Sequence, residues 1–312
     1  MTGTASSAGQ TLWSLDQLDN HTAKKLQYTT VKPSNDIACT NRPGRWASSA
    51  ENSAEHRHEV AILMAAGLGS RMKPLTDRYA KPLVPVLGRP LIETVIAALL
   101  KRGVDGIYVV VGYRKEQFHS LPEKYPNLKL IENPEFSTKN NIGSIAVAAS
   151  QMASADCFVC ESDLYIASED LLCRPLKRSG YFGKYVAGHS EDWVFETSEG
   201  RITRVGKEGD NCFNMVGISY FRQPDAARIA LAVQDAARRP ENAQLFWDEI
   251  VDRLVKDGLD LAIHEVAPGE IVECDTVEEL TSLEARLRAS GCSRMRSEST
   301  DGGKVASADV RA

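Results

Sequence analysis

The apolar run Val60 to Met64 leads straight into Ala65-Ala66-Gly67-Leu68-Gly69-Ser70-Arg71, the segment best equipped to hold an anion. Glycines let the backbone approach a ligand closely and take positive φ, and successive free N–H groups form a cradle for phosphate oxygens. A dinucleotide-binding turn would need a third glycine where Met72 stands, and no Walker sequence G-x-x-x-x-G-K-[ST] occurs. A plain strand-to-helix turn explains the glycines but not the cation Arg71 beside them. Ten residues further on, Lys81 offers a second fixed positive charge, unless it is simply a solvated surface lysine. Two acids stand where strands end. Asp163 follows CFVCES, and Asp275 follows the apolar segment of EIVECD. Mg²⁺ takes carboxylate oxygens and keeps several waters, so one or two such acids suffice to hold it. Asp275 also lies where a helix cap is expected. Strand alternation puts Glu161 on the face of Asp163 as a neighbour.

These groups need a frame, and the patterning predicts one. VAILMAAG, GIYVVVGY, LKLIEN and DCFVCESDLY are short apolar runs of the kind buried in parallel sheets. Between them lie helical patterns. PLIETVIAALLKRG has Ile92, Val95, Ile96, Leu99 and Leu100 on one face, Pro90 ahead of it and Gly103 as a stop. KEQFHSLPEKY is expected to be a helix broken near Pro122, and NIGSIAVAASQM a single helix of small residues. Repeated β-α-β-α units imply a Rossmann-like α/β fold, a mostly parallel sheet flanked by helices, with ligands beyond the carboxyl ends of the strands. From about residue 176 the pattern turns mixed: KYVAGH, DWVFET and RITRVG as short strands, a turn at Ser198-Glu199-Gly200, NMVGISYF, helices over 225–237 and 242–256, the strand LAIHEV and a helix from Val277. This half is expected to form a smaller substrate lid.

The domain reading is therefore one folded unit over 59–289, with a half over 59–175 that carries the anion loop and a mixed half over 176–289. A disordered extension over 1–58 precedes them, in which Trp13, Leu15 and Leu18 offer a short docking helix. A flexible tail follows over 290–312. With 312 residues, 43% of them hydrophobic, the chain can fill a core, and 25% charged residues with a net charge of −5 give no basic excess for nucleic acid. No apolar run approaches the roughly 20 residues that cross a bilayer, and the N-terminus has no secretory pattern, so the cytoplasm is the expected compartment. Cys157 and Cys160 make a lone C-x-x-C on a strand, where residues three apart face opposite sides, so buried free thiols are expected rather than a metal site.

The stretch AAGLGSRMKPLT…AKPLVPVLGRP resembles the signature of the nucleoside-triphosphate transferase family, with Ala80 where the family often has proline. The resemblance is nearest to the phosphocholine cytidylyltransferases and extends over nearly all of residues 60–285, through VVGYRKEQF, ENPEFSTKNNIGSI, ESDLYI, MVGISYF, FWDEI and EIVECDT. It implies the nucleotide-diphospho-sugar transferase type of fold, CTP as donor, a small phosphorylated or phosphonate acceptor, and Mg²⁺ on Asp163 and Asp275. Arg71 and Lys81 become the catalytic cations. The nucleotide site becomes Ala65, Ala66, Gly67, Gly69, Ser70, Arg71, Lys81, Gly112, Tyr113, Asn141 and Ser144. A quaternary ammonium is held by aromatic faces backed by acids. Trp193 beside Asp192, Tyr220, and Trp247 beside Asp248 are the candidates for such a box, with Glu273 as a further acceptor-binding candidate.

An oxyanion acceptor attacks phosphorus without a covalent enzyme intermediate, so positioning and charge neutralisation carry the reaction. No histidine or cysteine is given a catalytic role, since His119 and His189 lack a paired carboxylate and a nucleophile nearby in sequence. Two other readings compete. One is a sugar-1-phosphate uridylyl- or thymidylyltransferase, which needs polar groups for sugar hydroxyls. The other is an inactive nucleotide sensor, which would have lost Arg71, Lys81 or Asp163. Nothing in the sequence excludes association into a homo-oligomer.

Overall fold

The computed structural model describes residues 57–300, with side chains through Ser290. The expected N-terminal extension, including the Trp13–Leu18 segment, and the tail beyond Thr300 lie outside the described residues. In chain order the elements are β1 (Glu59–Ala65), the hairpin β2 (Pro85–Val86) and β3 (Arg89–Pro90), α1 (Leu91–Arg102), β4 (Gly106–Val111), α2 (Ser120–Lys124), β5 (Leu128–Glu132), α3 (Ile142–Val147), α4 (Ala149–Met152), β6 (Asp156–Glu161) and β7 (Leu164–Ile166). Then come β8 (Gly180–Ser198), β9 (Arg201–Phe221), α5 (Gln223–Ala237), α6 (Trp247–Lys256), β10 (Ala262–Glu265), β11 (Ile271–Glu273) and α7 (Val277–Thr300).

One seven-stranded sheet runs in the order β10-β8-β9-β6-β1-β4-β5. β1 pairs in parallel with β4 and β6, and β4 with β5, as the apolar runs predicted. β9 is the antiparallel member, joining β6 to β8. Alternation along the strands feeds two cores. Val60 and Ile62 of β1, with Cys157 and Val159 of β6, pack under α3 to α6. Ala61 and Leu63, with Phe158 and Cys160, pack under α1. Cys157 and Cys160 thus point to opposite faces, both buried and free. α1 stops at Gly103, whose φ of 86° suits glycine, and whose N–H bonds to Leu99 and Leu100 carbonyls.

Several elements differ from the sequence expectation. Leu100 is exposed at the edge of the apolar face instead of lying on it. The break in the 115–125 helix falls at His119, and Pro122 sits within the first turn of α2, where no N–H is required of it. The small-residue helix is two short ones, divided at Ala148. Ser162 and Asp163 interrupt the expected fourth strand. The supposed short strands after residue 180 are two long ones, β8 and β9, bent by repeated register shifts and joined by a tight turn in which Glu199 and Gly200 both have positive φ. The second half therefore extends the main sheet as well as flanking its carboxyl end. The helix expected over 242–256 begins at Trp247, and α7 continues past Ala289 to Thr300. No helix among the described residues is long and apolar enough to cross a membrane.

Candidate active site

A cavity of about 460 Å³ opens at the carboxyl ends of β1 and β6. The glycine loop forms one wall. Gly69 has a φ of 61°, and a Cβ there would lie 2.8 Å from Cβ of Lys81, so only glycine lets the lysine stem pack against the loop. The Thr76 hydroxyl donates to the Gly69 carbonyl at 3.0 Å and holds the turn closed. Lys81 is not a surface lysine: its residue is 9% exposed, and its ammonium donates to Asp163 at 2.5 Å and also to Asp275. Burial alone would lower its pKa. Asp163 and Asp275 outweigh that, so the net shift is upward and the ammonium stays charged. Arg71 reaches Asp275 at 2.9 Å while remaining largely exposed. Residues remote in sequence thus meet as the motif reading expected.

The helix-cap competitor for Asp275 is resolved. Thr276 caps α7, its hydroxyl accepting the Glu279 N–H at 3.2 Å, while the Glu279 carboxylate accepts the Asp275 and Thr276 N–H groups. The Asp275 side chain is left for the cavity. Glu161 and Glu273 complete an acidic cluster. Glu161, Asp163 and Glu273 each bring a carboxylate oxygen within 4.8 Å of the others. Desolvation in the cleft, with Asp163 and Asp275 next to it, pushes the Glu273 pKa up to about 8. Burial, then Glu273 and Asp163, push Glu161 well up as well. Four carboxylates thus face two cations, Lys81 and Arg71. A hard divalent cation suits this oxygen donor set, and its charge would take the place of the protons that burial and crowding keep on Glu161 and Glu273.

Of the expected nucleotide residues, Ala65, Ala66, Gly67, Gly69, Ser70, Arg71, Lys81, Asn141 and Ser144 line the cavity. Gly112 and Tyr113 do not. A Cβ on Gly112 would meet Phe136 at 2.6 Å, so the glycine lets Phe136 close over the loop base. Tyr113 donates its N–H to the Ala66 carbonyl at 3.1 Å and its hydroxyl to the Thr76 carbonyl at 3.3 Å. Both support the loop from behind. Asn133, Phe136, Lys139 and Phe246 line the cavity without having been singled out. The first three follow the carboxyl end of β5, where the strand-end rule would have found them.

The acceptor candidates separate. Tyr220 is fully buried at the opposite end of the sheet, its hydroxyl donating to Asp156 at 2.8 Å and near Glu59 at 3.4 Å, so it is a core residue and not an acceptor contact. Trp193 stands behind Phe246, edge to face at 5.3 Å, and the Lys207 ammonium already lies over both rings. Trp247 is 2% exposed and lines a niche of about 10 Å³ with Tyr181, Asp248, Met215 and Glu161. The Tyr181 hydroxyl donates to Asp248 at 3.0 Å, and burial raises the Asp248 pKa to about 7. The Trp247 indole N–H has no hydrogen-bond partner among the described residues. Glu273 belongs to the acidic cluster. His189 does have a carboxylate, Asp210 at 3.0 Å, on the exposed part of the hairpin, and His119 is exposed; neither lines the cavity.

This fold and site define a nucleotidyltransferase class. The MobA-like NTP transferase domain matches residues 61–205. The chain is 48% identical, over 72% of its length and 91% of the relative's, to the 2-aminoethylphosphonate cytidylyltransferase of Lancefieldella rimae. It is 31% identical to the choline-phosphate cytidylyltransferase of Streptococcus pneumoniae, over 73% of this chain and 98% of that one. The solved structure of CTP:phosphocholine cytidylyltransferase from Streptococcus pneumoniae superposes with a TM-score of 0.67, covering 74% of this chain and 99% of that one at 31% identity. The chain belongs to the MobA-like NTP transferase family, and within it to the group that holds these cytidylyltransferases.

Proposed function

We propose that the protein transfers CMP from CTP to a small amino-alkyl phosphonate of the 2-aminoethylphosphonate type, releasing pyrophosphate. One observation carries the proposal: a single cavity joins the glycine loop, Lys81 and Arg71 to Glu161, Asp163, Glu273 and Asp275. The 48% identity to a 2-aminoethylphosphonate enzyme, against 31% to a phosphocholine enzyme, supports the acceptor class. In this reading the loop N–H groups, Arg71 and Lys81 neutralise the triphosphate oxygens. An acceptor oxygen then forms a bond to the α-phosphorus in line with the bond to pyrophosphate as it breaks. Lys81 stays protonated and moves no proton; it supplies fixed charge. Asp163 and Asp275, with Glu161 and Glu273 alongside, would hold Mg²⁺, which when bound would supply positive charge to offset the charge that develops on the phosphate oxygens.

The acceptor's ammonium end is assigned to the Trp247–Asp248 niche. Its volume, about that of one water, admits –NH₃⁺ more readily than a trimethylammonium group. The cation position over Trp193 and Phe246 is already held by Lys207. The cytoplasm, where CTP is available, is the compartment this chemistry requires. A pyrophosphate-release screen tests the reading, crossing four NTPs with 2-aminoethylphosphonate, phosphoethanolamine, phosphocholine and sugar phosphates, with Mg²⁺ present or chelated. The largest kcat/KM is expected with CTP and 2-aminoethylphosphonate, and only with the metal. Turnover of UTP with a sugar phosphate, without any of CTP, would overturn it.

A further inference from the structure

Two segments more than a hundred residues apart are stitched together where the main cavity meets the niche. The Asn140 N–H donates to the Ala243 carbonyl at 2.8 Å, and its side-chain amide to the Gln244 carbonyl at 3.3 Å. The Gln244 amide donates back to the Thr138 carbonyl at 3.1 Å. The Trp247 N–H donates to Oδ1 of Asn141 at 3.0 Å.

The last bond answers a need of α6. A helix leaves its first N–H groups without internal partners, and the residue before the helix usually supplies a side-chain oxygen. Here that residue is Phe246, which has none. Its own N–H is taken by the Glu249 carboxylate at 2.8 Å. The N–H of Trp247, in a residue only 2% exposed, depends on an oxygen brought from elsewhere, and Asn141 brings it. Asn141 therefore sets the first turn of α6, which carries Trp247 and Asp248 into the niche and leaves Phe246 on the cavity wall. The carbonyl oxygen of Asn141, though it borders the cavity, is committed to this bond.

We infer that Asn141 is a positioning residue for the acceptor, acting through the backbone of Trp247, and that its chief kinetic role is not nucleotide recognition. The inference rests on the cytidylyltransferase reading and assigns one residue within it. The full-length chain is compared with its Asn141→Ala and Asn141→Asp variants, with CTP and 2-aminoethylphosphonate varied in turn. Alanine removes the oxygen, so the acceptor KM should rise about tenfold while the CTP KM stays within about twofold. Aspartate keeps an oxygen for the Trp247 N–H and adds negative charge beside the triphosphate. It should hold the acceptor KM within about threefold of wild type and raise the CTP KM instead. This crossover is what a merely structural role would not produce, because a partly unfolded enzyme loses kcat without redistributing the two KM values. A raised CTP KM with an unchanged acceptor KM in Asn141→Ala would overturn the inference. If that variant does not fold, Asn141→Asp decides alone: an acceptor KM raised as much as the CTP KM overturns it. Absence of any wild-type turnover with CTP and amino-alkyl acceptors would instead sink the functional reading, and this assignment with it.

Discussion

At the amino ends of β1 and β6, Glu59 and Asp156 face Arg102 and Arg222; at the carboxyl ends, Glu161, Asp163, Glu273 and Asp275 face Lys81 and Arg71. The amino end is balanced and closed. Arg102 holds Glu59 through two bonds, at 2.6 and 2.7 Å, and also caps the Leu172 and Arg174 carbonyls. The Tyr220 hydroxyl fills the gap to Asp156. The carboxyl end has the same kinds of side chain with acids in excess, next to an open cavity, and it answers by raising the pKa values of Glu161 and Glu273. Charge that completes itself holds a fold. Acids crowded beside a cavity until they keep their protons call for a cation to take the protons' place.

Breaking the surplus end should have the largest effect on activity. Asp163→Ala should lower kcat by roughly 10³-fold or more while the protein stays folded, because removing one of several crowded acids relieves repulsion. Mg²⁺ should raise the melting temperature of wild type and leave that of Asp163→Ala unmoved, as seen by calorimetry without any substrate. A fully active Asp163→Ala enzyme would erase the distinction between the two ends. Arg102→Met reverses the pattern. It strands Glu59 in a largely buried place, for a loss of about 3–5 kcal/mol and a melting temperature lower by roughly 10 °C, with both KM values unchanged.

A finer test uses His264, which lies among the cations of the amino-end network. Burial first, then Arg174, pull its pKa down to about 4, so the folded protein keeps it neutral. The unfolded histidine titrates near about 6.5 and takes up a proton that the folded one refuses. Stability from this group is therefore complete above about pH 6.5 and is lost as the pH falls towards 4. Urea unfolding at about pH 7 and about pH 5 should show His264→Gln losing less across that interval than wild type, by on the order of 1–2 kcal/mol. An equal loss in both proteins would remove His264 from the network. Smallest of all, Tyr220→Phe should cost about 1 kcal/mol and leave the acceptor KM unchanged. A raised acceptor KM would instead return Tyr220 to the acceptor site.

The strands and the loop were legible because they depend on short-range pattern. Apolar runs ending in Ala65-Ala66-Gly67 specify a buried strand and a phosphate-sized turn whatever lies around them. Of the Lys81, Asp163 and Asp275 cluster, Asp163 was legible for a related reason, since it follows a strand of the parallel sheet at its carboxyl edge. Asp275 follows β11, which pairs antiparallel with β7 outside that sheet, and only the family resemblance joined it to Asp163. The aromatics were not legible in this way. Trp193, Tyr220 and Trp247 are told apart only by their places in the fold, the first two on the long strands β8 and β9 and the third at the start of α6. β9 lies antiparallel to β6 with Tyr220 opposite Phe158, which carries its hydroxyl to the amino end. Gly112 and Tyr113 follow β4 much as the glycine loop follows β1, yet Phe136 closes over Gly112 and keeps both behind the loop.

The sequence by itself thus determined the kind of sheet and the anion loop, because those follow from periodicity and from acids and glycines at strand ends. Through the family resemblance it also determined which charged residues converge. Only the tertiary structure decided that Thr276 and not Asp275 caps α7, that Glu273 joins the acidic cluster and not an aromatic box, and that Asn141 spends its oxygen on Trp247. Each of those outcomes is a competition for hydrogen bonds or space between segments far apart in the chain, and no local pattern records who wins it.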